Sequence, residues 1–237
     1  MWIGKEDFHA LLETAGFSIT QEQYEAFAIY ASLLVEWNNK MNLTAITQPF
    51  EIAEKHFLDS LLLLRHVSIP EGGSFIDVGC GAGLPSMPIK IVRPDIALTQ
   101  LDSHKKRLTF LQAVHDALGI QVQLVHARAE EAAHRNGYRE CYDVATARAV
   151  AELNVLAEYC LPYVRVGGVF AAMKGPGAEQ ELDAALPAIK LLGGEVETVE
   201  NDVLPSAGSR TVIVVRKTSH VSTKYPRNSG KINKKPL

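Results

Sequence analysis

Phe75-Ile-Asp-Val-Gly-Cys-Gly-Ala-Gly-Leu-Pro85 is the stretch whose reading decides the fold of this chain. Phe75 to Val78 reads as a short buried strand that runs into three glycines at alternating positions, Gly79, Gly81 and Gly83. Glycine permits a sharp turn and lets a bound molecule approach bare backbone. A helix is expected to follow. A strand, glycine turn and helix in this order place a nucleotide-like ligand at the edge of a parallel sheet.

Asp77 narrows the choice of ligand. A dinucleotide lays its pyrophosphate on such a turn, held by amide groups and the positive end of the next helix. A carboxylate beside that phosphate is repelled, by roughly 1 kcal/mol at about 4 Å in water and by more at lower dielectric. The spacing also departs from the dinucleotide fingerprint. After Gly79-Cys-Gly81 the third small residue is due at position 84, which is Leu84, and Gly83 comes one residue early. S-adenosylmethionine suits these residues better: it has no phosphate, and its amino group and sulfonium are cationic. Asp77 can attract it directly or through water.

The segments downstream extend the pattern. A second strand is expected over 96–101, ending at Asp102, 23 residues after Gly79; an acid near this spacing can accept hydrogen bonds from ribose hydroxyls. A helix over 104–118 follows, with Leu108, Leu111, Val114, Ala117 and Leu118 on its apolar face. Further strands are expected over 121–125, 142–146 and 164–174, the last interrupted by Gly167-Gly168, then a helix over 177–192 and strands over 194–200 and 211–215. Strands alternating with helices imply a parallel sheet covered on both faces. The last two strands have no helix between them and predict an antiparallel edge hairpin. The expected fold is α/β: a class I S-adenosylmethionine-dependent methyltransferase, Rossmann-like, with a seven-stranded, mainly parallel sheet and an antiparallel edge strand.

The first 70 residues read as helical. A short helix covers 6–14. A second begins at Thr20, which can cap it, with Gln23 as partner in a capping box. Tyr24, Phe27, Ala28, Ala31, Leu34 and Val35 give it an apolar stripe. A third helix, over 49–66, places His56, Asp59 and Ser60 on one face by their i, i+3 and i+4 spacing. These three have the composition of a hydrolase triad, but they lie within one helical turn and no strained turn presents the serine, so a hydrolase is rejected.

Composition bounds the rest. At 237 residues one domain with an N-terminal extension is expected. Cys80, Cys141 and Cys160 form no CxxC or Cys/His cluster, so neither a metal site nor a disulfide framework is indicated. No signal-like segment or membrane-length apolar run occurs, and a cytoplasmic monomer is expected. From Arg216 to Leu237 there are seven Lys or Arg and no Asp or Glu, which leaves 17 basic against 27 acidic side chains elsewhere, a net of −10. Such a basic tail suits phosphate contacts, and it is not expected to be ordered without them.

Blocks along nearly the whole chain resemble one family, the bacterial small-subunit (16S) ribosomal RNA guanine-N7 methyltransferases, also called GidB. They are Trp37-Asn-Asn-Lys-Met-Asn-Leu-Thr44, Lys55-His-Phe-Leu-Asp-Ser60, the glycine turn, Arg148-Ala-Val-Ala151, Met173-Lys-Gly175, Lys224-Tyr-Pro-Arg227 and Lys234-Lys-Pro-Leu237. The resemblance implies a cofactor site of Asp77, Gly79, Gly81, Gly83, Leu84, Asp102, Ala129, Glu130 and Arg148, with Leu84 on the methionine side and Ala129 and Glu130 on the adenine. It implies contacts to 16S rRNA or the small ribosomal subunit by His56, Lys174, Lys224, Arg227, Lys234 and Lys235. His56, Asp59 and Ser60 then fall on the substrate side or over the cofactor.

Guanine N7 carries a free lone pair, so no general base is named and catalysis rests on positioning. The absence of Asn-Pro-Pro-Tyr, Asp-Pro-Pro-Tyr and Pro-Cys agrees with that chemistry. The domains expected are residues 1–70, a helical extension; 71–217, the methyltransferase domain; and 218–237, the basic tail. The alternatives are a methyltransferase for another RNA or small molecule, a nicotinamide-dependent oxidoreductase, and a non-catalytic RNA-binding module.

Overall fold

Three helical stretches precede the first strand in the computed structural model, which describes residues 2–148 and 151–237. Helix α1 spans Lys5–Glu13 and α2 spans Gln21–Asn38. The capping box forms as read: Thr20 Oγ1 accepts from the Gln23 amide at 3.2 Å, and Gln23 Oε1 accepts from the Thr20 amide at 2.9 Å. The third stretch is not one regular α-helix. It runs through α3 (Pro49–Ile52), a π-helical segment (Ala53–Leu58), α4 (Asp59–Leu61) and α5 (Leu63–His66). A π segment widens the turn, so side-chain placement departs from the 3.6-residue period assumed for His56, Asp59 and Ser60.

These helices share a core with the sheet domain. Phe8, Phe27, Tyr30 and Phe57 form one buried cluster with Met87, Phe110 and Leu111. Tyr30 and Phe57 stack at 5.2 Å, and Phe8 meets Phe27 edge-on at the same distance. Each buried aromatic or leucine contributes roughly 1.5–3 kcal/mol, so the extension is held by burial on the same scale as the core itself. Polar ties add to it: Glu54 accepts from Ser206, and Asp202 accepts from Arg65 and His66.

The sheet domain runs β1 (Ser74–Val78), α6 (Ser86–Val92), β2 (Ala97–Asp102), α7 (Lys105–Leu118), β3 (Gln123–His126), α8 (Ala129–Ala132), β4 (Tyr142–Arg148), α9 (Leu153–Cys160), β5 (Val164–Lys174), α10 (Ala178–Leu191), β6 (Gly194–Leu204) and β7 (Gly208–Lys217). The strand order is β3-β2-β1-β4-β5-β7-β6. Strands β1 to β5 pair in parallel, and β7 runs antiparallel to both β5 and β6. The reversed strand therefore sits one position in from the edge, with β6 outermost.

Gly167-Gly168 lies within β5, where the register against β4 shifts. A Cβ on Gly168 would lie 2.6 Å from the Asp143 carbonyl oxygen, so the bulge admits only glycine. The strand order reverses between β1 and β4, and at such a switch point ligands bind beyond the carboxyl ends of the strands. No helix among the described residues is long and apolar enough to cross a membrane.

The last twenty residues depart from the expectation of an unordered tail. Tyr225 and Ile232 are buried, and a final helix, α11, spans Ser229–Lys234. Arg139 donates to the carbonyls of Tyr225, Val221 and Ser222, and Arg227 pairs with Glu158, which is fully buried on α9. Burying a carboxylate without a cation is costly, and Arg227 supplies that cation.

Candidate cofactor and RNA site

The glycine turn is gripped from three sides. Gly79 and Cys80 donate to the Leu101 carbonyl at 2.8 and 3.0 Å, which ties the turn to β2. Tyr30 Oη on α2 donates to the Ala82 carbonyl at 2.5 Å. Gly83 has φ +89°, and a Cβ there would lie 2.7 Å from both Leu111 Cδ2 and Met87 Cγ. The early third glycine is thus required by side chains of α6 and α7 as well as by the backbone. At Gly81, with φ +56°, an added Cβ would meet only the Gly79 carbonyl at 3.9 Å, so this part of the turn is open to a ligand.

Asp77 lies beneath the turn, fully buried. The Ser86 amide approaches Oδ2 at 3.4 Å, while Oδ1 has no hydrogen-bond partner. Burial pushes its pKa up to about 7, against opposing effects of Ser86 and Arg148. A buried acceptor without a donor fits a cationic group arriving from outside, the role its charge suggested.

A cavity of about 490 Å³ opens above the turn. Gly79, Gly81, Leu84, Asp102, Ala129, Glu130 and Arg148 line it, whereas Gly83 and Asp77 stand behind its wall. Glu130 is buried at the start of α8 and faces the cavity, and its neighbour Glu131 is exposed and lies outside it. Asp102 accepts from the Gly81 amide at 2.9 Å and the His104 amide at 2.7 Å. It therefore holds the turn in place while it lines the cavity. Thr44, Arg107, Arg128, Tyr159, Ser229 and Asn233 also contribute. None of these six is among the site residues expected from the sequence, although Thr44 ends the family-resembling block that begins at Trp37.

A second cavity, about 390 Å³, adjoins the first and shares His56 and Arg148 with it. Its floor is an ionic bridge from the helical extension to the sheet. Asp59 accepts from Arg148 Nη1 at 2.8 Å and from Arg210 Nε at 2.9 Å. Lys174 also lines it, and its ammonium group donates to the Ala151 carbonyl at 2.9 Å and pairs with Glu181 at 2.6 Å. His56 Nε2 lies 2.8 Å from Thr44 Oγ1. Burial, reinforced by Arg148, lowers the His56 pKa to about 4, so the ring is neutral at pH 7 and adds no cation for RNA. Ser60 Oγ donates to the His56 carbonyl, Asp59 faces arginines, and His56 faces Thr44. The three side chains make no catalytic relay.

The cations at the end of the chain divide in two. Arg216 pairs with Glu197, Lys217 is buried against Glu140 and the Leu161 carbonyl, and Arg227 is committed to Glu158. Lys224 lies over the Tyr225 ring at 5.1 Å. Lys231, Lys234 and Lys235 are exposed and have no carboxylate partner among the described residues. Of the cations assigned to RNA, Arg227 is thus used inside the protein, while Lys234 and Lys235 face solvent. In the Arg148–Ala151 block, Ala149 and Val150 lie outside the described residues.

Residues 23–210 match the family model described as rRNA small subunit methyltransferase G, GidB. The chain belongs to this family. It is 48% identical over 233 residues to the ribosomal RNA small subunit methyltransferase G of Halalkalibacterium halodurans, covering 98% of each chain. It is 44% identical over 234 residues to the protein of the same name from Bacillus subtilis strain 168, again covering 98% of each. Among solved structures, an S-adenosylmethionine-dependent O-methyltransferase from Thermotoga maritima shares the fold, with a TM-score of 0.53 at 14% identity over 80% of this chain and 73% of that one. The chain is a methyltransferase, its cofactor is S-adenosylmethionine, and the fold is the class I arrangement expected from the glycine turn. The unpaired Oδ1 of Asp77 and the open face of Gly81 fit that cofactor.

Proposed function

We propose that this protein transfers a methyl group to N7 of a guanine in 16S rRNA, with the cofactor in the larger cavity and the target nucleotide in the smaller. One observation carries the reading: two adjoining cavities share the wall made by His56 and Arg148, and the second is lined by Arg148, Arg210 and Lys174 together with Asp59 and Glu181, the carboxylates that hold them in place. S-adenosylmethionine supplies a methyl on a sulfonium, and in-line transfer to a neutral ring nitrogen discharges that cation.

The residues bind and orient. Asp77, from behind the cavity wall, attracts the cofactor's amino group across the turn or through a water, and is charged when it does so. Asp102 takes the ribose hydroxyls, Ala129 and Glu130 read the adenine, and Leu84 and the bare backbone of Gly79 and Gly81 shape the remaining wall. Gly83 lets α6 and α7 close behind them. Arg148, fixed by Asp59, closes the cofactor side and offers its charge to the substrate side. Arg210 and Lys174 suit the phosphates flanking the target base. Neutral His56 can exchange a hydrogen bond without removing a proton, and N7 has no proton to lose. Placement of the two reactants is then the main source of rate.

The test is transfer of labelled methyl from S-adenosylmethionine to 16S rRNA, free and in small subunits, taken from a strain lacking the protein. Label in 7-methylguanosine is expected. Label on a pyrimidine or an exocyclic amine would overturn the N7 assignment and leave the reaction class standing, and no incorporation into either substrate would overturn both.

A further inference from the structure

The element left unexplained by that reading is α11, which lies beyond the matched residues 23–210. Its six residues are divided by helical spacing. Ile232 is buried, and Ser229 and Asn233, flanking it on the same side, line the cofactor cavity. Lys231, Lys234 and the adjoining Lys235 lie on the opposite side, exposed to solvent.

Its position is built rather than incidental. The Asn228 side chain caps it by accepting from the Lys231 amide at 2.9 Å. Arg227 grips Glu158 with Nε and Nη2 while Nη1 donates to the Lys235 carbonyl at 3.1 Å, so one guanidinium ties the helix end to α9. His134 Nε2 lies 2.9 Å from the Pro226 carbonyl. The same α9 contributes Leu156 and Tyr159 to the cavity, so α9 and α11 form one wall.

We infer that α11 is a working part of the cofactor site: Ser229 and Asn233 supply hydrogen-bonding groups to the bound cofactor, and the lysines behind them receive RNA phosphates, so that the two ligands bind cooperatively. The inference rests on the cofactor assignment above. One short helix touching both ligands couples them: whichever binds first fixes Ser229, Asn233 and the lysines relative to α9 and so favours the second. By reciprocity RNA must tighten cofactor binding by the same factor as cofactor tightens RNA binding.

The experiment is calorimetric titration of the full chain with S-adenosylhomocysteine, alone and with a saturating 16S rRNA fragment. For Ser229→Ala/Asn233→Ala the affinity without RNA is expected to fall about tenfold, the loss of one or two hydrogen bonds. Both positions are at least partly exposed, and an unchanged melting temperature without ligand shows that the fold is retained. In the parent, RNA is expected to tighten S-adenosylhomocysteine binding several-fold. In Lys231→Ala/Lys234→Ala/Lys235→Ala that tightening is expected to vanish, with the RNA-free affinity kept. An affinity in the double variant within about twofold of the parent would remove α11 from the cofactor site, and equal affinities of the parent with and without RNA would refute the coupling. A parent that failed to bind S-adenosylhomocysteine at all would instead bring down the cofactor assignment, a distinguishable result.

Discussion

Asp77 is buried, lacks a donor on one oxygen, and titrates near 7 instead of the ordinary carboxylate value of 3.8. Its raised pKa means that the folded protein holds a proton which the unfolded chain releases between those two values. Stability from this group is therefore complete below about pH 4 and is lost as pH rises through 7. Asp77→Asn is expected to melt close to the parent at acid pH and above it at pH 8. The same substitution should weaken S-adenosylhomocysteine binding at least tenfold. Near pH 7 the parent should release a proton on binding, seen by calorimetry in buffers of different ionisation heat, and the variant should not. Gly83 makes a steric prediction. A methyl group there collides with Leu111 and Met87 at a φ of +89°, so Gly83→Ala should cost about 2 kcal/mol or more in denaturant unfolding.

At the level of elements, the segment from α3 to α5 reaches the site by a route a helical wheel does not show, and the final helix by contacts that fasten the end of the chain. The π segment and the start of α4 leave Glu54, His56 and Asp59 buried and polar: Glu54 meets Ser206, Asp59 meets Arg148 and Arg210, all far away in sequence, and His56 meets Thr44, twelve residues before it. Asp59→Ala should free both arginines and lower methyl transfer more than it lowers cofactor affinity, because the second cavity loses its floor. The final helix depends on Arg227. Arg227→Ala strands the carboxylate of Glu158 in the core, and removing one partner of a buried pair costs about 3–5 kcal/mol. Hydrogen exchange should then rise across residues 221–237 before it rises in β1 or β4, since the tail is the first element that this anchor holds.

For the whole molecule, the net charge of −3 conceals where the field lies. The seven cations counted from Arg216 onward are not a uniform basic arm; Lys231, Lys234 and Lys235 are the three that face solvent with no carboxylate or aromatic partner among the described residues. Each phosphate neutralised on single-stranded RNA adds about 0.7 to the slope of log affinity against log salt. Replacing the three lysines by alanine should therefore lower that slope by about 2, whereas Lys217→Ala should change stability and leave the slope alone.

The chain itself determined the central architecture. A buried strand ending in Gly79-Cys-Gly-Ala-Gly83, an acid at Asp77 and alternating strands and helices are local patterns, and local sterics and charge suffice to interpret them. The capping box at Thr20 and Gln23 was legible for the same reason. What the amino-acid order could not settle was which polar groups spend their charge inside the fold. Arg227 and Lys234 look alike on paper; one is consumed by Glu158, 69 residues earlier, and the other faces water. His56 reads as a cation until burial and Arg148 depress its pKa. Ser229 and Asn233 join the larger cavity only because Arg139 and Arg227 fasten the end of the chain against α9 and the residues that precede it. Pairing and desolvation depend on neighbours distant in sequence, and only the tertiary structure chooses those neighbours.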